Sequence, residues 1–374
     1  MSGLSNIRLK FTGPSGGHGG YGHATRYIAR SFSESDVSVF FDVSSKSIKK
    51  LSSCHDNFNV NFILSTPSLS MYNGREYKIG YFYWEADRLP SNWGRVICKA
   101  LDEIWVPCNL TKKACITAGF SGPIEIVHTP RPDKIQITPV TIPIPRSKRH
   151  LDDDAFVFYS VFQWNERKGY KKLLRAYLEE FSSKENVILI IKTDPIKVSG
   201  HGMARIKDDI LRAKSKVRGK FPPSIFLITD IIEDSLIAGL HGLGDCFVLP
   251  HHGEGWGMPI HDAMLHGNMI ITTKYGGVTE FLDENSAMII KHKMTEVKPM
   301  TWTNLYDSSQ MWADPDIGHL KFLMRKSFNI PEKQRLLMTR TARDIASSMT
   351  INTFSSKIND IFRQKRFDKL RSGR

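Results

Sequence analysis

Cys246-Phe247-Val248-Leu249-Pro250-His251-His252-Gly253-Glu254-Gly255-Trp256-Gly257-Met258-Pro259-Ile260-His261-Asp262-Ala263-Met264-Leu265 is the stretch from which the fold is read. Four apolar residues form a strand, a glycine-dense loop follows, and a helix begins with Pro259 in its first turn and Gly267 beyond its end. In an α/β sheet such a loop lies at the carboxyl end of a strand, the edge where ligands bind. Its glycines free backbone N–H groups at a helix N-terminus, suited to a phosphate or a sugar oxygen. Glu254 and Asp262, eight positions apart, can face the same ligand, one holding sugar hydroxyls and the other a ribose diol. The plain alternative is a glycine-rich turn with a capping Glu and an exposed Asp. His251, His252 and His261 match no familiar ligand spacing with a carboxylate, so no metal is expected.

Strand and helix alternate on both sides of this stretch. Strands are expected at Ile7–Phe11, Val37–Phe41, Asn59–Leu64, Lys78–Tyr83, Glu103–Val106 and Ile124–Val127, with a helix at His23–Phe32. The segment 130–150 holds five prolines and the basic run Arg146-Ser147-Lys148-Arg149, and reads as an extended linker. Alternation resumes with strands at Phe156–Val161, Val187–Lys192, Ile225–Thr229, Cys246–Leu249 and Met269–Thr273. Helices fall at Lys171–Phe181, Glu233–His241 and Pro259–Leu265, and residues 317–362 read as mainly helical. The fold class is therefore α/β, with two Rossmann-like domains facing across a cleft. The boundaries are 1–145, 146–340, and a C-terminal helical segment with a basic tail at 341–374.

A length of 374 residues fits two domains. At 41% hydrophobic and 24% charged the chain is an ordinary globular protein, too apolar for disorder. No apolar run is long enough to span a bilayer and no secretory signal is visible. Cys54, Cys98, Cys108, Cys115 and Cys246 are scattered, without a C-x-x-C pair, which points to a reducing, cytoplasmic compartment. The net charge of +14 invites a polyanionic partner. A peripheral membrane contact is the first choice and a DNA acceptor the second, with a merely solubilising surface weighing as much as either.

Two further loops bear on chemistry. Gly17-His18-Gly19-Gly20-Tyr21-Gly22 satisfies G-x-G-x-x-G between a strand and a helix, with Asp42 ending the next strand, 25 residues on. A tight turn without a ligand is the alternative. Arg167-Lys168-Gly169 follows a strand and can neutralise a diphosphate, although a solvated basic turn would look the same.

Together these pieces resemble the retaining nucleotide-sugar glycosyltransferases of the GT-B fold, family 4 (glycosyl transferases group 1). Gly20-Tyr21-Gly22 is similar to that family's first strand-to-helix loop. Trp84-Glu85-Ala86-Asp87-Arg88-Leu89-Pro90 with Trp93, and Asp102 to Cys108, resemble the middle of its N-terminal domain. Arg167-Lys168-Gly169, the E-x7-E position at Glu254 and Asp262, Thr273 with Gly276-Gly277 and Glu280, and Trp312 to Asp316 resemble its C-terminal domain. The resemblance implies that Lys168, with Arg167, binds the donor diphosphate, and that Glu254 and the backbone of Gly255, Trp256, Gly257 and Met258 line the sugar site. Asp262 would take the ribose diol, and Gly20, Tyr21 and Gly22 would also meet the donor. Many relatives place a His near the reaction centre where this chain has Glu85, which could equally be a structural acid. Asp262 is one methylene shorter than the usual Glu, and Gln163 stands where an Arg is often found.

The implied reaction moves a hexose from a UDP- or GDP-linked sugar to a hydroxyl of a glycan or other acceptor, with retention. It uses no metal and no cofactor beyond the nucleoside diphosphate sugar as co-substrate. Two alternatives stay open: an NAD-dependent oxidoreductase using the N-terminal glycine loop with Asp42, and a basic nucleic-acid-binding protein without catalysis. Nucleotide base, sugar, acceptor and oligomeric state do not follow from the sequence.

Overall fold

The computed structural model describes residues 7–14, 20–42, 58–68, 76–132, 155–194, 202–217, 221–300 and 303–364. Most of the expected linker, Gly17 and Gly19 of the first glycine loop, and the basic tail beyond Gln364 lie outside them. The chain divides into two compact units. Unit 1 is Met1–Lys134 with Ser347–Arg374, and unit 2 is Ile135–Ala346.

Unit 1 contains β1 (Arg8–Thr12), α1 (Gly20–Ser33), β2 (Ser38–Asp42), β3 (Val60–Leu64), β4 (Tyr77–Tyr81), α2 (Ser91–Ala100), β5 (Glu103–Val106), α3 (Asn109–Thr117) and β6 (Ile124–Ile126). Its strands form one parallel sheet in the order β2-β1-β3-β4-β5-β6. A strand covered on both faces has no polar side to show, and β3 is buried at every position. Phe11 stacks on Phe62 at 5.3 Å, and Phe62 meets Phe32 at 4.8 Å and Trp105 at 5.3 Å.

The C-terminal end supplies the rest of that core. Helix α10 (Ile351–Arg363) is capped by Thr350 and buries Phe354, Ile358, Ile361 and Phe362 in the same cluster as Phe11 and Phe62. The Ser355 hydroxyl donates to the Ser31 carbonyl on α1 at 2.8 Å. The reading of 341–374 as a piece of its own therefore needs correction, since its described residues from Ser347 onward belong to unit 1. An apolar helical stripe shows in sequence, but the partner that covers it does not.

Unit 2 contains β7 (Phe156–Gln163), α4 (Tyr170–Glu180), β8 (Val187–Asp194), α5 (Gly202–Ser215), β9 (Ser224–Ile228), α6 (Asp234–Leu243), β10 (Cys246–Leu249), α7 (Met258–Leu265), β11 (Met269–Thr273) and β12 (Met288–Ile290). An antiparallel hairpin, β13 (His292–Glu296) with β14 (Met311–Pro315), precedes α8 (Ile317–Phe328) and α9 (Glu332–Ser347). The six-stranded parallel sheet has the order β12-β11-β10-β7-β8-β9. Strand order reverses between β7 and β10, and at such a switch point the loops diverge and leave a crevice for a ligand. Helix α5 and the hairpin escaped the sequence reading for one reason. Only Ile206 of α5 is buried and β13 is largely exposed, so neither has a strong apolar period.

Replacing Ile358 by Ala should destabilise unit 1 by about 2–5 kcal/mol, because the buried side chain leaves a cavity between α10 and the sheet. Trp105 lies 5.8 Å from Phe362, so its fluorescence during urea unfolding reports the loss. An unchanged unfolding midpoint would contradict this packing.

Candidate functional site

The turn after β7 is Trp164-Asn165 followed by one 3-10 turn, Glu166–Lys168, and Gly169 at φ +68°. A Cβ at Gly169 would run into the Pro250 carbonyl, so glycine alone lets this turn lie against the segment leaving β10. The His252 N–H donates to the Arg167 carbonyl at 2.7 Å across the same approach. Trp164, fully buried, packs on Tyr170 at 4.4 Å and anchors the turn from beneath.

The loop after β10 is held from its other side. The Glu254 carbonyl accepts the Gly277 N–H at 2.7 Å, and Glu254 forms a parallel bridge with Gly276. Gly276 sits at φ +86°, and a Cβ there would collide with the Glu254 carbonyl. Three loops, after β7, β10 and β11, are thus pressed together at the switch point by backbone contacts that side chains would block.

That packing buries an ion pair. Lys168 Nζ lies 2.5 Å from Glu254 Oε1, and Arg167 Nη1 lies 3.3 Å from the same oxygen while donating to the Gly253 carbonyl at 2.7 Å. Burial alone would push the Glu254 carboxyl up, but the Lys168 ammonium and then the Arg167 guanidinium outweigh it and hold it at about 2. Glu254 is therefore a fixed negative charge with two cations around it. Beside it His251 is fully buried, and neither ring nitrogen has a hydrogen-bond partner among the described residues. Burial, reinforced by Lys168 and Arg167 against the pull of Glu254, holds its imidazole neutral at about 3. His252 is held down to about 4, again chiefly by burial. Its Nδ1–H donates to the Ala313 carbonyl at 2.6 Å, its ring stacks on Trp312 at 4.7 Å, and its carbonyl accepts the Ala313 N–H. Asp314, on the same strand, pairs with Lys172 at 2.9 Å.

The expected residues of unit 2 are found as follows. Arg167, Lys168 and Glu254 come together directly. Gly255, Trp256 and Gly257 are buried in the loop, with Trp256 against Phe281 at 4.9 Å, and Met258 opens α7 half-buried. Asp262 is half-buried four residues into α7, and its carbonyl accepts the His266 N–H at 3.1 Å. In unit 1, Gly20 begins α1, Gly22 is buried, and the Tyr21 ring meets Tyr83 edge-on at 5.2 Å. Glu85 is half-exposed in the loop after β4, next to buried Trp84, whose Nε1–H donates to the Arg88 carbonyl at 2.6 Å. Asp42, the acid a dinucleotide reading requires, is paired with Lys10 on the neighbouring strand at 2.9 Å.

Sequence reasoning missed the structural roles of His251, His252 and the Trp312–Asp314 brace. A pair of histidines directly before a glycine run was the available signal, and it was weighed only as a metal motif. Among the described residues no group of three or more His, Cys, Asp or Glu is disposed to hold a metal ion.

Residues 153–297, which span this ion pair and the three loops, match the model of the family described as glycosyl transferases group 1. The match covers less than half of the chain, and the two six-stranded parallel sheets with their helices have the GT-B fold. The chain is similar in structure to Anabaena HepE, solved with UDP and glucose, at a TM-score of 0.67 and 13% identity over 96% of this chain and 99% of that one. Sucrose-phosphate synthase from Thermosynechococcus elongatus gives 0.68 at 12% identity, and a glycosyltransferase from Rickettsia africae gives 0.68 at 13%, each with the same 96% and 99% coverage. At such identities the likeness is one of fold. In sequence, 149 residues are 25% identical to the disease resistance protein RRS1 of Arabidopsis thaliana, covering 35% of this chain and 11% of that protein's length.

A histidine held neutral lets the unfolded chain bind the proton first, so stability is full above pH 6.5 and falls as pH drops from there toward 3. The slope is up to about 1.4 kcal/mol per pH unit for each such group. His251→Leu should flatten the fall in urea-unfolding free energy between pH 7 and pH 5 by roughly one group's share. Parallel pH profiles for variant and parent would show that His251 is not buried neutral.

Proposed function

We propose that the protein transfers a hexose from a nucleoside diphosphate sugar to an acceptor hydroxyl with retention of anomeric configuration and without a metal ion. The observation that supports this most is the buried Lys168–Glu254 pair with Arg167, at the switch point of a group 1 glycosyltransferase unit. An ammonium has three N–H donors, so Lys168 can keep one on Glu254 and offer others to a diphosphate. As the glycosidic bond breaks, negative charge grows on the departing diphosphate. Fixed cations in a desolvated pocket stabilise that charge without reorganising. The electrophilic role a metal could play thus falls to Lys168 and Arg167. Glu254, held ionised, accepts hydrogen bonds from sugar hydroxyls and offsets the positive charge developing on the ring. We assign the backbone of Gly255 to Met258 to the sugar, Asp262 to the ribose diol, and Gly20, Tyr21 and Gly22 to the donor as well. Glu85 is assigned a place near the reaction centre. Anabaena HepE was solved with UDP and glucose, which supports a UDP-linked donor as the first to be tried. The pairing of Asp42 with Lys10 weighs against a nicotinamide cofactor.

Incubation with UDP- and GDP-linked sugars should release the nucleoside diphosphate slowly without an acceptor, and one donor should raise the melting temperature while NAD does not. Lys168→Met should lower turnover about 10²–10³-fold, the loss expected when a transition-state donor is removed. A product of inverted anomeric configuration by NMR would overturn retention, and stabilisation by NAD alone would overturn the transferase reading.

A further inference from the structure

On the donor assignment proposed above, we infer that Arg205 of α5 is a positioning residue for the donor diphosphate, acting by neutralising the Glu166 carboxylate beside Arg167 and Lys168. The 3-10 turn that carries the two cations begins with Glu166, so an acid stands one residue from Arg167 and two from Lys168. Arg205 Nη2 pairs with Glu166 Oε1 at 2.7 Å. One helical turn further along α5, Asp209 accepts the Trp164 indole N–H at 3.0 Å, and Ile206 on the same side of the helix is fully buried. Trp164 is itself buried between Phe162 at 5.8 Å and Tyr170 at 4.4 Å. The inner side of α5 therefore holds this turn at two points, the indole that leads into it and the acid that opens it.

The local charge balance gives Arg205 its role. Lys168 and Arg167 share a single carboxylate, Glu254, and His251 and His252 are held neutral beside them. That leaves a surplus of one positive charge to meet an incoming diphosphate. An uncompensated Glu166 on the same turn would cancel the surplus, and Arg205 restores it. The Arg205 and Glu166 side chains are 31% and 32% exposed, so their pairing adds little to stability. The charge it neutralises nevertheless lies beside two largely buried cations, where salt screens weakly. The pair therefore acts on the affinity of the site for an anion more than on the fold.

Calorimetric titration of the full chain with UDP, and in parallel with GDP, tests this. Arg205→Met should weaken binding of the nucleotide about five- to tenfold at low ionic strength. Arg205→Lys should bind within about twofold of the parent, because a contact through one N–H needs a positive charge and not a guanidinium fork. Adding Glu166→Gln to Arg205→Met should recover most of the lost affinity, since the charge that needs neutralising is then gone. A purely structural contact predicts no recovery, because both halves of the bond are missing in the double variant. Arg212→Met removes the same charge from the exposed pair with Asp208 on the same helix, and as the control it should bind like the parent. Parent-like binding by Arg205→Met, no recovery in the double variant, or an equal loss in Arg212→Met would each overturn the assignment. A parent that binds neither nucleotide would overturn the donor reading itself, and this assignment with it.

Discussion

The buried contact between Lys168 and Glu254 is the constraint around which unit 2 is arranged. Each charge alone would be expensive to bury, and breaking such a pair typically costs about 3–5 kcal/mol because the survivor is left uncompensated. The pair can exist only if the loops after β7 and β10 come within touching distance of each other. Gly169 against the Pro250 carbonyl and Gly276 against the Glu254 carbonyl meet that requirement with backbone, at positions where any side chain would hold the loops apart. The sheet order makes the meeting place a crevice, since β7 and β10 are neighbours whose crossovers leave in opposite directions.

Around this contact the protein uses histidine as a neutral building block. His252 joins the Arg167 carbonyl to β14 through its backbone and ring, so the basic turn, the glycine loop and the hairpin are one hydrogen-bonded assembly. His251, adjacent to it, adds bulk without charge beside two cations, because burial and the nearby Lys168 and Arg167 disfavour its protonated form. A protonated imidazole there would add a third positive charge to a pocket that already holds Lys168 and Arg167 against a single carboxylate.

Much of this was legible in the residues. Cys246–Leu249, Met269–Thr273 and Glu103–Val106 lie at the expected strand boundaries, because parallel strands covered on both faces are short apolar runs between turn formers. The two loops were each read as facing a ligand, the resemblance to a glycosyltransferase family placed Arg167, Lys168 and Glu254 in one site, and the three side chains are in contact. What escaped notice lacked such a pattern. Helix α5 has one buried residue, β13 is polar, and the use of His252 depends on a strand sixty residues further along the chain.

Local pattern determined the class of fold and the order of most of its elements, because each follows from periodicity and from residue types within a short window, while the charged groups of Arg167, Lys168 and Glu254 were singled out as one site by their resemblance to a family motif. Only the tertiary structure decided which loops touch, that Glu254 is ionised between two cations, that His251 is neutral, and that α10 completes the core of the first unit. Those outcomes depend on burial and on distances between segments far apart in the chain. The charge state of a side chain and the partner of an apolar face are set by what surrounds them, and a linear pattern does not record it.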